Sequence, residues 1–168
     1  MAPLRHTDLC VTVPHMARPE DIPQPTRDAV LNLPCPAFDT TPYVAGPPLS
    51  QRRIAILTSA ALIKRGDQPF PFGSGETRFI PADIKPNDLL LSHVSINFDR
   101  AGWQRDINTV FPIDRLRDLV ATGEIGGVAD THYTVMGSTN PAAMEDAVDQ
   151  IAGQLKQERI DSVLLTPV

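Results

Sequence analysis

The sequence predicts an α/β fold with a mostly parallel sheet, flanking helices and Rossmann-like layers. Continuous apolar runs at 54–57 and 162–165 are typical of strands that are buried on both faces. Between those runs, apolar residues recur at helical spacing over 113–120 and 144–155. Strands that alternate with amphipathic helices form parallel sheets, so the pattern indicates this fold class.

A proline-rich arm is predicted to precede the α/β domain. Ten of the 17 prolines lie in residues 1–50, and each fixes its own φ and favours an extended conformation of the residue before it. We therefore expect residues 1–50 to form an extended or partly disordered leader with one helical turn around 26–31, and residues 51–168 to form the domain. Met16 is a second candidate start, which would make residues 1–15 a mis-called extension.

The first half of the domain is predicted to hold three strands. The run at 54–57 is the first strand, and a connection or short helix at 58–64 and a turn at 65–69 follow it. A weaker strand is predicted at 78–80, and a third at 89–94 carries polar side chains at its carboxyl end.

Two helices and a final strand complete the predicted domain. One helix begins at Pro112, because proline suits the first helical position, and ends at Gly123. A longer helix is capped by Asn140 and carries an apolar stripe over 144–155. The strand at 162–165 comes last.

Composition and charge exclude several classes of protein. With 15 Lys and Arg against 20 Asp and Glu, the net charge is −5 and no basic stripe is present, so nucleic acid is not an expected partner. No apolar run approaches the roughly 18 residues of a membrane span, and the N-terminus lacks a signal-peptide pattern, so we expect a cytoplasmic protein. Cys10 and Cys35 match no compact zinc-binding spacing, so no metal is expected.

The segment 92–100 is the richest candidate site, because it lies at the carboxyl end of a predicted strand, where α/β folds bind ligands. His93 is a candidate general acid or base, with Asp99 fixing its tautomer. The alternative is a histidine satisfied by a backbone carbonyl, with Asp99 and Arg100 paired to hold a loop.

Two other segments carry candidates whose structural alternatives stay open. In the turn at 65–69, Arg65 is a candidate anion ligand that Asp67 orients, and the alternative is a surface turn with a weak ion pair. His132, in a predicted strand at 132–137, is a second histidine near a loop, although a histidine beside a tyrosine is more often structural.

Five segments, taken in order, resemble one known family: residues 65–70, 92–100, 108–116, 132–137 and 163–168. They are similar to the selenoprotein B subunits of the glycine, sarcosine, betaine and D-proline reductases, from about Pro34 to the last residue. The resemblance implies an oxidoreductase that reductively cleaves a carbon–nitrogen bond in an amino acid or its N-methylated derivative. In that family a selenolate attacks the activated substrate, a thiol partner resolves the adduct, and a separate pyruvoyl-bearing subunit activates the substrate.

The resemblance also implies where the reactive residue stands. In the family, selenocysteine, which UGA encodes, follows the strand that ends in Pro-Val, so we expect selenocysteine after Val168 and a chain that is the N-terminal part of a longer subunit. No cofactor is expected within this chain, and Cys10 and Cys35 match neither the family's nucleophile nor its resolving cysteine. The residues expected to line the cleft are Arg65, Asp67, Asn97 and Arg100 for substrate binding and His93, Asp99 and His132 for catalysis.

The alternative hypothesis is a non-catalytic α/β module that binds a small anionic ligand or scaffolds a partner subunit. A sheet that ends on an unsupported strand exposes an edge, so a reductase fragment should be poorly soluble or dependent on a partner. We separately expect an oligomer. A monodisperse monomer that melts cooperatively would favour the module.

Overall fold

A computed structural model describes residues 18–32, 39, 43–95, 98 and 100–168 of the chain. The chain divides into two units, Met1–Thr41 and Pro42–Val168. In the first unit, helix α1 (Gln24–Leu31) confirms the helical turn that the sequence predicts around 26–31. Most of the proline-rich arm, the candidate extension at 1–15, Cys10 and Cys35 lie outside the described residues.

The second unit confirms the predicted α/β fold class. Its described residues form three α-helices, a mostly parallel five-stranded sheet and a two-stranded sheet. In chain order the elements are β1 (Arg53–Thr58), β2 (Leu62–Lys64), β3 (Thr77–Pro81), β4 (Leu89–Leu91), α2 (Arg100–Arg105), α3 (Ile113–Ala121), β5 (Gly127–Val128), β6 (Thr131–Val135), α4 (Glu145–Gln157) and β7 (Ser162–Thr166).

Strand β1 lies at the centre of the sheet. β7 pairs with it in parallel along its length, from Ile54 opposite Ser162 to Thr58 opposite Thr166. On the other side of β1, the short β5 pairs with its first half and β6 with its second half, both in parallel. β3 then pairs antiparallel with β6, whereas β2 and β4 form a separate two-stranded antiparallel sheet.

The two faces of β1 belong to different cores, because successive side chains of a strand point to opposite faces. Ile54 and Ile56 pack into the larger cluster, which includes Phe111 and, on α3, Leu116. Ala55 lies in the second cluster with Tyr133 and with Ile151 of α4. Helices therefore cover the sheet on both sides, as the predicted layers require.

Three local predictions need correction. In the segment 58–64 the predicted connection is limited to residues 59–61, because residue 58 ends β1 and the rest of the segment forms β2, where the amide of Leu62 donates to Oγ1 of Thr134 at 2.8 Å. The strand predicted at 89–94 ends at Leu91, because its partner β2 begins at Leu62, which lies opposite Leu91, and the last bond of the pair runs from the amide of Ser92 to the carbonyl of Ala61 at 3.0 Å. Pro112 caps α3 rather than occupying its first helical position.

The helices of the described part of the chain are short. Among them, none is both long and apolar enough to cross a membrane.

Candidate active site

The carboxyl ends of three parallel strands meet around Ser59, which directly follows β1. The amide of Ser59 donates to the carbonyl of Thr166 at 3.1 Å, and its carbonyl accepts from the amide of Gly137 at 3.0 Å. Its hydroxyl accepts a hydrogen bond from the amide of Val168 at 3.0 Å. A Cβ at Gly137 would lie 2.9 Å from the carbonyl oxygen of Ser59, so this approach requires glycine. Ligands of open α/β sheets bind at this edge.

Sequence reasoning missed Ser59 as part of the candidate site. The available signal was its place as the first polar, non-strand residue after the buried run of β1. That position marks the carboxyl edge of a parallel sheet, but one serine is too common to single out without the topology.

His93 is buried just beyond the carboxyl end of β4. Only 6% of its surface is exposed, and its Nδ1 accepts a hydrogen bond from the amide of Ser95 at 3.1 Å. Burial, together with the charge of Arg100, lowers the pKa of His93, so the ring is neutral at pH 7 with its proton on Nε2. Among the described residues, no group accepts a hydrogen bond from that Nε2.

Arg100, at the start of α2, holds the backbone that carries His93. Its Nη2 donates to the carbonyl of His93 at 2.8 Å and to that of Ser95 at 3.2 Å. The ring of Phe98 packs against the imidazole, with the ring centroids 5.2 Å apart. The structure therefore brings together two of the predicted residues, His93 and Arg100.

A cavity of about 610 Å³, called the His93 cavity below, lies beside this pair. The described residues that line it are Ile63, Pro69, Leu90, Leu91, Ser92, His93, Arg100, Trp103 and Gln104. The lining combines an apolar wall with a few polar groups, which is the usual composition of a small-molecule site.

Arg65 and Asp67 lie in the turn after β2 and do not bind each other among the described contacts. The guanidinium of Arg65 donates twice to the carbonyl of Asn87, at 3.2 Å and 2.7 Å. A carboxylate oxygen of Asp67 accepts from the amide of Lys64 at 3.2 Å. Arg65 and Asp67 border different cavities, so the structure separates two residues that the sequence reasoning paired.

His132 lies inside the core, on β6. It is fully buried, its Nδ1 accepts from the amide of Ile56 at 3.0 Å, and its ring meets Phe111 edge-on. Burial lowers its pKa to about 4, so the ring is neutral at pH 7. These contacts favour the structural alternative, and the catalytic role of His132 stays a prediction.

Two candidate residues, Asn97 and Asp99, lie outside the described residues. Their expected roles in substrate binding and in fixing the His93 tautomer stay predictions. The structure shows that the amide of Ser95 already fixes that tautomer, through Nδ1.

Known proteins supply the family context. Residues 27–168 match the protein family described as Glycine/sarcosine/betaine reductase selenoprotein B. The D-proline reductase subunit gamma of Acetoanaerobium sticklandii is 35% identical over 121 residues, which cover 70% of this chain and 49% of that protein. No solved structure matches the chain.

Relatives from other reductase complexes match a similar region. The glycine reductase complex component B subunit gamma of Carboxydothermus hydrogenoformans is 30% identical over 142 residues, covering 80% of this chain and 32% of that protein. The betaine reductase complex component B subunit beta of Peptoclostridium acidaminophilum is 28% identical over 141 residues, with the same two shares. The chain thus spans about a third to a half of the length of these curated relatives. Because the family match covers most of its length, the chain belongs to the glycine/sarcosine/betaine reductase selenoprotein B family.

Proposed function

We propose that this chain is the N-terminal part of a selenol-dependent reductase subunit that cleaves a carbon–nitrogen bond of an amino acid or its derivative. The family match over residues 27–168 is the observation that carries the proposal. The names of the relatives include reductases of D-proline, glycine, sarcosine and betaine, and in each of these molecules the nitrogen is bonded to the carbon that bears the carboxylate.

The reactive group in this proposal is a selenocysteine that follows Val168. A selenol is more acidic than a thiol, so it supplies an anionic nucleophile at pH 7 without the local help that a cysteine needs. The carboxyl edge of the sheet fits that placement, because the hydroxyl of Ser59 accepts from the amide of Val168 at 3.0 Å and holds the backbone there. The parallel strands converge at this edge, where a substrate can approach.

The roles of this chain's own residues follow from their charge and position. We assign substrate binding to Arg65, Asp67, Asn97 and Arg100, and we keep His93, Asp99 and His132 as the candidate catalytic residues. Because burial and Arg100 lower the pKa of His93, its neutral ring serves best as a hydrogen-bond donor through Nε2. Proton donation to a leaving amine would need the imidazolium, which this environment disfavours.

Partner subunits are part of the proposal. The relatives are named as subunits or components of reductase complexes. We propose a separate pyruvoyl-bearing subunit that activates the substrate and a dithiol reductant that is oxidised to a disulfide while the substrate is reduced. We also propose assembly into an oligomer and a cytoplasmic location.

The codon after Val168 tests the placement of the selenocysteine directly. We expect UGA, followed by an in-frame reading frame that encodes the rest of the subunit. A UAA or UAG codon, or no in-frame continuation, would contradict the proposal and favour the non-catalytic module.

The activity itself is tested with the full reading frame, expressed with selenocysteine incorporation and with its partner subunit. Glycine, sarcosine, betaine and D-proline are each supplied with dithiothreitol, and amine release or ring opening is measured together with dithiol consumption. We expect one substrate to be reduced with one dithiol oxidised per bond cleaved. The matched control replaces the selenocysteine with serine, and equal turnover in that control would refute selenol chemistry.

The two histidines are tested in the same assay. We expect His93→Gln to lower turnover while Lys156→Gln, an exposed change on α4, leaves it intact. His132→Gln is expected to lower turnover as well, and a melting curve of each variant separates loss of chemistry from loss of fold. Unchanged kinetics in His93→Gln would remove His93 from the proposed machinery.

A further inference from the structure

The His93 cavity has the composition of a site for a small molecule with one charged end. Its volume of about 610 Å³ falls in the roughly 300–1,000 Å³ range of small-molecule sites. Its apolar lining consists of Ile63, Pro69, Leu90, Leu91 and Trp103. The polar end is formed by Arg100 and Gln104, which lie four residues apart and so on the same side of α2.

Among the described residues that line this cavity, Arg100 carries the one formal charge, and it is positive. Arg100 is fixed at its edge by hydrogen bonds to the carbonyls of His93 and Ser95. Among the described residues that line the cavity, none is acidic, so the guanidinium is not neutralised by a carboxylate of the lining. His93 is neutral at pH 7 and adds no second charge.

A neighbouring cavity of about 500 Å³ differs from the His93 cavity in the charges of its lining residues. It shares Trp103 and Gln104 with the His93 cavity, but its charges are mixed. The charged residues in its lining are Arg65, Arg105, Asp106 and Asp114. Of these two cavities, judged by their described lining residues, the His93 cavity is therefore the one in which an anion meets a cation without an acidic neighbour.

We infer that the His93 cavity is a binding site for small aliphatic monocarboxylates, with Arg100 and Gln104 holding the carboxylate and the apolar wall covering the hydrocarbon. A guanidinium is the side chain best matched to a carboxylate, because its parallel N–H groups fit the two oxygens. The amide of Gln104 adds a donor at the same end.

Identifying that carboxylate with the carboxyl group of a reductase substrate rests on the proposed function. The binding itself does not, since it follows from the shape and charge of the cavity. A test on this chain alone therefore separates the two: carboxylate binding can succeed or fail whether or not the subunit reduces a substrate.

The chain carries its own probe for this site. Trp103 is the only tryptophan in the sequence, and it lines the cavity. The 168-residue chain is titrated with sodium propionate at constant ionic strength while the fluorescence of Trp103 is followed. Propionamide, which has nearly the same shape and no charge, is titrated in parallel, and sodium chloride is the ion control.

Two variants test the polar end of the cavity. Arg100→Gln removes the cation, and Gln104→Glu introduces a carboxylate at an exposed position with almost no change of volume. Each is expected to weaken propionate binding by at least about tenfold. Lys156→Gln changes the net charge as much as Arg100→Gln does, but on α4, and is expected to leave the affinity unchanged.

Saturable propionate binding that propionamide does not reproduce, and that both cavity variants lose, would establish the site. No fluorescence change with propionate, equal binding of propionamide, or equal weakening in Lys156→Gln would overturn it. If circular dichroism shows that Arg100→Gln loosens the fold, the affinity of Gln104→Glu for propionate decides whether the cavity binds the carboxylate, because that variant leaves Arg100 and its hydrogen bonds in place.

Discussion

The backbone amide of Ile56 donates its hydrogen bond to Nδ1 of His132 at 3.0 Å, so the imidazole serves as the acceptor that a backbone carbonyl normally supplies in a sheet. β5 and β6 pair with the two ends of the same side of β1, so the amide of Ile56 falls in the gap between them. A buried amide without an acceptor is costly, and the histidine side chain supplies that acceptor. The central strand therefore depends on a neutral imidazole.

Because of this dependence, we expect the folded chain to lose stability in acid. The pKa of His132 is about 4 in the fold, because of burial, against an ordinary value of 6.5. Between pH 6.5 and pH 4, His132 is protonated in the unfolded chain but stays neutral in the folded chain. The free energy of unfolding should therefore fall by about 3 kcal/mol between pH 6.5 and pH 4. Above pH 6.5 the contribution does not change. Urea unfolding of the chain across this range measures the effect.

His132→Asn isolates that contribution. The Asn side chain keeps an acceptor oxygen for the amide of Ile56 but does not titrate. The free energy of unfolding of this variant should therefore depend less on pH between 4 and 6.5 than that of the wild-type chain. The pKa of His93 is also lowered, yet His93 is present in both proteins and its effect cancels in the comparison. Parallel curves for the two proteins would show that His132 is protonated without penalty.

A pair of glycines provides a second prediction. A Cβ at Gly126 would lie 2.5 Å from the carbonyl carbon of Gln51, whereas a Cβ at Gly153, on the exposed side of α4, would meet nothing within 4 Å. Gly126→Ala should therefore destabilise the chain by about 1–3 kcal/mol through backbone displacement. Gly153→Ala should stabilise it by about 0.5–1 kcal/mol, because alanine is the better helix former.

Thermal unfolding of the two alanine variants, measured side by side, checks this prediction. The substitution is chemically identical in both, so opposite shifts in melting temperature can come only from the site. Similar shifts would mean that the close approach between Gly126 and Gln51 is relaxed in solution.

Arg53 gives a third prediction, because it ties three parts of the domain together. Its guanidinium donates to the carbonyl of Glu158 at 2.9 Å, to that of Val128 at 3.3 Å and to the carboxylate of Asp130 at 2.6 Å. We expect Arg53→Met to cost about 1–3 kcal/mol, since two partly buried carbonyls lose their donor.

The matched control for Arg53 is Arg115→Met on α3. Arg115 is mostly exposed and forms a surface ion pair with Asp118 at 3.1 Å, a kind of contact worth about 0–1 kcal/mol. Chemical denaturation of both variants measures the difference. An equal cost for the two would show that Arg53 contributes only as another surface charge.

The sequence predicts the fold class because its main signals are long and repeated. The continuous apolar run of β1 is too short for a helix, and the stripe of α4 repeats at helical spacing over three turns, so the strand and the helix could be assigned from length and periodicity. β2 could not, because it has three residues and depends on pairing with β4, which lies far along the chain.

The candidate site was predictable only in part, for a related reason. His93 and Arg100 are close in sequence and polar side chains are dense there, but the strand before them, β4, belongs to the separate antiparallel sheet and not, as expected, to the parallel one. The distinction between His93 and His132 depends on what surrounds each ring, which no local pattern encodes. Ser59 joins three strand ends that are distant in sequence, so only the topology reveals it.

The last prediction concerns the edge of the sheet. Among the described strands, β7 pairs only with β1, and its residues Leu164 and Leu165 are 38% and 65% exposed. An uncharged edge strand with exposed leucines favours pairing with another chain. We therefore expect the chain to self-associate, and Leu165→Lys to shift it toward the monomer because a lysine at an edge opposes strand addition.

Val148→Lys is the control for this edge substitution, since Val148 is 58% exposed but lies on α4. Light scattering over a range of concentrations measures the shift, and a wild-type chain that stays monomeric and melts cooperatively would contradict the prediction and favour the non-catalytic module.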